Sequence, residues 1–444
     1  MEKRGSYFNS MNIIYETKSG KIVNNDNLDA LKEIDSDSID SCISDFPYAI
    51  EFMGKSWDSS KSWHDGSGSH SEFKGTGYSG KRRPNFYLNT REDMLSFYNW
   101  CFDRGSELYR VMKSGAYVAI FGFVKTNHRM KCAFEDCGFI VVDDIDWIYL
   151  SGMPHNQDVG KMFDAAGNPE LAQVYKDWKT AGLKPAHETV TIFQKPMIGT
   201  YIENIEKFGV GAMNIGACRV PISQEDIDML NAKASKNPTT NYSDKDDKIY
   251  GKYALDMAVP ANPDGRFPPN IVIDDGIAKA IDAQTGITKS TGGSGIASTT
   301  NRARHIYGAY NQGTNENYQN ESLGGYGDVG GGSRLFPIFK YNSKVSPSER
   351  MLPDGTRNPH VTLKPVDLIK WLIKLITPKD GITIDITAGS CTHAVACEEL
   401  NIENGYNLKY IDIELCNDEE NPYCEVGKQR VEAVVTAIRQ KRLF

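Results

Sequence analysis

GITIDITAGSCTHAVACEELNIENGYNLKYIDIE, residues 381–414, is the stretch whose reading decides the fold. A β-branched run, Gly381 to Thr387, predicts a strand, the small residues AGSCT (388–392) a turn, HAVACEELN a helix, and LKYIDIE (408–414) a second strand. A turn of small residues lets a ligand approach the backbone, and the positive end of the following helix favours an anionic group there. Glu414 closes the second strand, where an acid reaches ribose hydroxyls in dinucleotide-binding folds. Taken alone, a strand, turn and helix of this kind are more often purely structural.

The same rhythm runs outward from this stretch. PVDLIKWLIKLI (365–376) predicts a helix just before it. Near the N-terminus come a strand (KIVNN, 21–25), a helix (NLDALKEI, 27–34), a DSDS turn and a strand (IDSCISDF, 39–46). Further on, REDMLSFYNWCFDRGSELYRVMKSG predicts a long amphipathic helix, AYVAIFGF a strand, HRMKCAFEDCGF a helix and VDDIDWIYL a strand. Alternation of this kind implies an α/β fold with a mainly parallel sheet. Phe97 to Trp100 falls on the amphipathic helix and reads as core.

Two regions break the rhythm. Residues 54–89 are rich in Gly, Ser, His and Lys and read as a loop. Residues 211–341 accumulate Gly, Asn, Ser and Thr over a length too great for an idle loop, and so predict a separate lobe. The expected division is a front half of the core in 1–210, the lobe in 211–341 and the back half of the core in 342–444.

At the expected end of the strand 39–46 stands Asp45-Phe46-Pro47-Tyr48. Ligands of open α/β sheets sit beyond the carboxyl ends of strands. The exocyclic amine of a base is a poor nucleophile because its lone pair is delocalised into the ring. A carboxylate and a backbone carbonyl accepting its two N–H groups favour the pyramidal, reactive form. Tyr48 offers a stacking surface for a base taken out of a duplex, and Pro47 stiffens the turn. The bland alternative, a strand end followed by a proline turn, fits the tetrapeptide equally well.

Composition sets outer limits. The chain has 444 residues, 40% hydrophobic and 24% charged, enough for a large core in two or more units. No run approaches the roughly eighteen apolar residues of a membrane span, and the first residues carry no apolar run of signal-peptide type, so an intracellular location is expected. The nine cysteines are odd in number and lack C-x2-C spacing, and read as free thiols in a reducing compartment. The net charge of -8 argues mildly against a nucleic-acid partner. A basic cleft is what matters, however, and Lys81-Arg82-Arg83, Arg302 and Arg304 are candidates to line one, while Arg302, Arg304 and Arg334 suit the lobe to base edges and phosphates. His64 and His70 fit no metal cage, and no metal is expected.

Taken together, the motifs resemble the phage and prophage type of DNA amino-methyltransferase in the permuted β group, in which the catalytic motif precedes the cofactor motif. The resemblance covers nearly the whole chain. Asn25-Asp26-Asn27 stands at the family's G-D-C position and Asp45-Phe46-Pro47-Tyr48 at D-P-P-Y. Ser151 to Asn156 resembles G-S-G-F-P-K-S, Gly182 to Glu188 resembles G-L-K-P-A-H/W-E, and Gly265 to Asn270 resembles G-R-W/F-P-A-N. His360 to Pro365 resembles H-P-T-V-K-P, Asp385 to Thr392 resembles D-P-F-x-G-S-G-T, and Asp412-Ile413-Glu414 resembles G-I-E. Single motifs of this kind are weak, but eight in one order are specific.

The resemblance implies a Rossmann-like core that binds S-adenosylmethionine, with an inserted target-recognition lobe, acting on double-stranded DNA as a monomer or homodimer. It implies methylation of the exocyclic amine of a flipped base, with adenine preferred because the catalytic motif opens with Asp. The setting implied is the cytoplasm of a bacterial host, in a phage- or prophage-encoded enzyme of restriction-modification type. Asp45, Phe46, Pro47 and Tyr48 would be catalytic. Asp26, Thr362, Lys364, Asp385, Thr387, Gly389, Ser390 and Glu414 would surround the cofactor, while His187 and His360 would serve structure or cofactor contacts. The chain departs from the pattern at Phe46, Thr189, Val361, Ile386, Thr387 and Cys391. Cys391, in place of a second glycine, requires a turn that needs neither positive φ nor very close ligand approach. These departures keep a second reading open, a divergent relative that binds DNA but transfers another group or has lost catalysis.

Overall fold

A computed structural model describes residues 11–49, 58, 91–150, 152, 156–180, 182–228, 231, 262–289, 329–339, 350–416 and 422–441. The elements run β1 (Ile13–Glu16), β2 (Gly20–Asn24), α1 (Asn27–Lys32), β3 (Ile39–Asp45), α2 (Arg91–Val111), β4 (Met112–Gly122) and α3 (Asn127–Asp136). They continue with β5 (Ile140–Ile148), α4 (Val159–Ala165), α5 (Pro169–Val174), β6 (His187–Gln194), α6 (Tyr201–Phe208), β7 (Ile271–Asp274) and α7 (Asp275–Thr285). The remainder are β8 (Thr288–Lys289), β9 (Val329–Gly330), β10 (Ile338–Phe339), α8 (Val366–Ile376), β11 (Ile382–Asp385), α9 (Thr392–Glu403), β12 (Lys409–Glu414) and α10 (Tyr423–Lys441).

Among the described residues, ten strands form one sheet in the order β1-β2-β12-β11-β3-β4-β6-β5-β7-β10. Its middle, from β2 to β4, is parallel, while β6 runs antiparallel to both β4 and β5. Side chains of β4 alternate between the two faces, with Tyr117, Ala119 and Phe121 in one core and Ala116, Val118 and Ile120 in the other. The first core is covered by α8 and α9, the second by α1, α2 and α3. With both faces covered, the central strands read as near-continuous apolar runs rather than alternating ones. The sequence reading of an α/β, mainly parallel sheet holds. Phe97 and Trp100 are buried on α2, as the helical spacing implied.

The chain divides into two units. The first comprises 1–218, 269–277 and 338–444 and holds the sheet. The second comprises 219–268 and 278–337, and within its described residues β8 pairs with β9. Strand β7 falls inside the stretch 211–341 set aside as a lobe, yet it pairs with β5 in the large sheet. Three apolar residues and an aspartate, IVID, flanked by turn-forming sequence carry too little periodicity to reveal a strand. The sequence reading likewise omitted β1, β6 and α10. The loop 54–89, apart from Asp58, lies outside the described residues, as do Lys81, Arg82, Arg83, Arg302, Arg304, His64 and His70.

One expectation about the cysteines is corrected. Cys416 and Cys424 form a disulfide, while Cys42, Cys101, Cys132, Cys137, Cys218, Cys391 and Cys397 are free. The fold brings the end of β12 and the start of α10 to a Cα separation of 6.2 Å, within disulfide reach, and spacing along the chain does not show that.

Candidate active site

Strands β12, β11 and β3 are parallel neighbours, so Glu414, Asp385 and Asp45 all stand at the same edge of the sheet. After β11 the chain turns into α9 and then β12 on one side. After β3 it leads into α2 and β4 on the other. The crevice between β11 and β3 is therefore a topological switch point, where open α/β sheets bind ligands. It holds a cavity lined by Asp45, Phe121, His360, Thr362, Lys364, Asp385, Thr387, Gly389 and Ser390, among others. Six of the eight residues assigned to the cofactor thus line one cavity with the first catalytic residue.

Gly389 has φ 52°, in the left-handed region, and a Cβ there would lie 2.4 Å from His360 Nε2. Its N–H donates to Glu414 Oε2 at 2.8 Å. Arg430 of α10 holds the same turn, donating to the Ser390 carbonyl at 2.6 Å and to Thr392 Oγ1 at 3.0 Å. Asn358 donates to Ser390 Oγ at 3.0 Å, so this hydroxyl is engaged within the protein. Cys391 also sits in the left-handed region, with φ 58°. The turn therefore does require positive φ at the position where the resembling motif has glycine, contrary to the condition drawn from the sequence. The buried Cys391 side chain packs against α10, where a Cβ at Gly427 would meet its Sγ at 2.4 Å.

Asp385 Oδ1 accepts from Ser44 Oγ at 2.7 Å and from the Thr387 N–H at 3.0 Å. Thr387 Oγ1 donates to the Asp45 carbonyl at 2.9 Å, tying the turn after β11 to the end of β3. Ile386, the neighbouring departure from the motif, is buried in the second core. Burial and the nearby Asp412 lift the Asp385 carboxyl to about 7, against the pull of His393. Burial also lifts Glu414 to about 7, against the Gly389 N–H and with the help of Asp385. Burial, with Lys364, Arg430 and Arg350 nearby, drives His360 down to about 3, so its ring is neutral. His360 Nδ1 is buried without a hydrogen-bond partner among the described residues.

Asp26, also assigned to the cofactor, caps α1 through Leu28 N at 2.9 Å and pairs with Arg104 at 3.6 Å. It is not among the cavity residues.

On the catalytic side, Phe46 is buried with its ring 5.2 Å from Trp100, which accounts for an aromatic where the motif has proline. Pro47 follows, half-buried. The Tyr48 ring stacks on Phe123 at 5.6 Å, and its carbonyl accepts from Thr126 Oγ1 at 3.0 Å. Lys364 Nζ bonds Asp45 Oδ2 and lies 3.4 Å from Glu188 Oε2. Burial raises the Asp45 carboxyl, Lys364 pulls it down and Glu188 pushes it up, for a net rise above the usual carboxylate range. Burial works to lower Lys364, but the two carboxylates outweigh it and keep the ammonium charged. Lys364, expected at the cofactor, is thus bonded to Asp45 and close to Glu188. Glu188 was quoted within a motif but given no role. Its strand β6 went unread, and without it nothing places residue 188 beside residue 45.

The family model described as DNA methylase, of N6/N4 methyltransferase type, matches residues 39–425. The chain belongs to the N6/N4 DNA methylase family. It is similar to the Type II methyltransferase M.HindIII of Haemophilus influenzae, at 30% identity over 203 residues. That match takes in 44% of this chain and spans 64% of the relative's length. Among solved structures it resembles the PvuII DNA methyltransferase (cytosine-N4-specific), at 12% identity and a TM-score of 0.43, over 97% of this chain and 95% of the other. It also resembles the M1.HpyAVI–SAM complex, at 13% identity and a TM-score of 0.35, over 93% of this chain and 98% of the other. Likeness at these scores adds nothing to the family assignment.

Proposed function

We propose that this DNA methylase family member transfers a methyl group from S-adenosylmethionine to the exocyclic amine of a base flipped out of double-stranded DNA, with adenine preferred. The observation that carries the reading is the junction of β3 and β11. There the Asp45 carboxylate and the Gly389 turn line one cavity, with the Thr387 hydroxyl joining the two strands. No helix of the described residues is long and apolar enough to cross a membrane, and no metal-binding group occurs among them.

The residues present fit this cofactor. Glu414 stands at a strand end, bonded to the cavity residue Gly389, with a carboxylate for ribose hydroxyls, and His360, whose buried Nδ1 has no hydrogen-bond partner among the described residues, lines the cavity beside the Gly389 turn. When bound, S-adenosylmethionine supplies an electrophilic methyl group on a sulfonium. Methyl transfer of this kind is a direct displacement, so the protein contributes alignment more than proton shuttling. Asp45 and the Phe46 carbonyl accept the amine N–H groups, concentrating the lone pair on nitrogen. Tyr48 presents its ring to the base, and the Phe123 stack beneath it fixes its plane.

The position of Glu414 gives a test in cofactor binding. As an acid raised to about 7, Glu414 favours the folded protein below its ordinary pKa of 4.5, and that contribution is lost as pH rises through 7. Accepting ribose hydroxyls needs the carboxylate, so binding must expel the proton. Calorimetry in buffers of differing ionisation heat is expected to show close to one proton released per cofactor at pH 6 and almost none at pH 8.5. The Kd should weaken about tenfold from pH 8 to pH 6. Asp385 titrates over the same range. Glu414→Gln separates the two, because it should bind more weakly and lose most of the pH dependence. An unchanged pH dependence in Glu414→Gln removes Glu414 from the cofactor site.

A further inference from the structure

Glu188, near the start of β6, faces the catalytic strand. The Lys364 ammonium, only 8% exposed, stands between two carboxylates, bonded to Asp45 and 3.4 Å from Glu188, whose side chains are 22% and 20% exposed. The Tyr48 hydroxyl is shared in the same way, 3.2 Å from Asp45 Oδ1 and 3.1 Å from Glu188 Oε2. A phenol has one proton and serves one of them at a time. Tyr149 reaches the other Glu188 oxygen at 3.5 Å. Two carboxylates therefore share one ammonium and one phenolic proton, and either can take both only at the other's expense.

This sharing bears on the task given to Asp45. A carboxylate held by Lys364 has fewer lone pairs for an incoming amine, and its ammonium cannot be left unpaired in a buried site without a large penalty. Glu188 removes that penalty by offering a second seat within reach. We propose that Glu188 is a positioning residue that receives the Lys364 ammonium and the Tyr48 hydroxyl when the target amine takes Asp45, an inference that rests on the function proposed above. The step exchanges hydrogen bonds only. No covalent bond forms or breaks, and no proton or electron changes hands.

The test compares Glu188→Gln, Lys364→Met and the double variant in the full-length protein, with thermal melts as folding controls. Two quantities are read. One is kcat at saturating S-adenosylmethionine. The other, without turnover, is the fluorescence of 2-aminopurine placed beside the base that the wild type modifies, with the demethylated cofactor bound. Glu188→Gln is expected to lower kcat about a hundredfold, the rate equivalent of about 2.7 kcal/mol. It should also reduce the extruded-base signal while leaving cofactor Kd unchanged. Adding Lys364→Met should restore roughly tenfold of the rate and much of the signal, because no ammonium is left to occupy Asp45. Glu188→Asp, which keeps the charge, should lie much closer to the wild type, and it carries the test if Glu188→Gln fails to fold. A double variant no better than Glu188→Gln, or a Glu188→Gln rate within twofold of the wild type, overturns the proposal and leaves the function standing. A folded wild type that modifies no DNA overturns both.

Discussion

Asp45→Ala is expected to lose methyl transfer by more than about a thousandfold, the combined scale of losing a charge-stabilising acceptor and the alignment it gives. Cofactor affinity should stay within roughly threefold of the wild type, a change of well under 1 kcal/mol. In the proposed function the side chain serves the base amine, while its backbone carbonyl, which the substitution keeps, accepts from Thr387 of the turn after β11. The protein should remain folded because Lys364 retains Glu188 as a counter-charge 3.4 Å away. Single-turnover methylation paired with calorimetry checks both halves. Substantial transfer by Asp45→Ala would remove Asp45 from the chemistry, and a parallel loss of cofactor binding would make it a cofactor residue instead.

The second large effect is expected at Gly389. Valine there combines a β-branched side chain at φ 52° with a Cβ 2.4 Å from His360 Nε2. The His360 ring, its Nδ1 buried, packs edge-on with Tyr423, their centroids 4.5 Å apart. The turn must rearrange and lose the Gly389–Glu414 bond. Affinity for S-adenosylmethionine should then fall at least about a hundredfold, near 2.7 kcal/mol. Cys391→Gly is the informative contrast two residues on. It relieves a left-handed residue, worth about 1–2 kcal/mol, but removes the thiol packed against Gly427. The two effects oppose each other, so calorimetry should find binding within roughly threefold of the wild type. A Gly389→Val protein that binds normally would place the cofactor elsewhere.

The sequence carried the parts of this molecule that depend on local pattern. Strands β3, β11 and β12 and helices α2, α8 and α9 announce themselves by apolar runs and by a turn of small residues, and with them come Asp45, Gly389 and Glu414. What stayed illegible depends on long-range pairing. Strand β6 is antiparallel in an otherwise mostly parallel neighbourhood, and only its pairing with β4 and β5 brings Glu188 to Asp45. The same holds for Lys364, whose motif suggested a cofactor contact and whose ammonium is bonded to a residue far away in sequence. Cys391 is a different case. Its positive φ follows from the turn, and the buried space that tolerates its thiol is set by Gly427 on α10, a helix the sequence reading omitted. The Cys416–Cys424 pairing likewise follows from where α10 begins.

The central claim is methylation of an exocyclic amine, and nucleoside mass spectrometry tests it most directly. Plasmid DNA co-expressed with the wild type and with Asp45→Ala would be digested to nucleosides and compared. N6-methyl-2′-deoxyadenosine from the wild type, absent with Asp45→Ala, is the predicted result. N4-methyl-2′-deoxycytidine would keep the chemistry and overturn the preference for adenine. Unmodified adenine and cytosine from a folded wild type that binds S-adenosylmethionine would contradict the account.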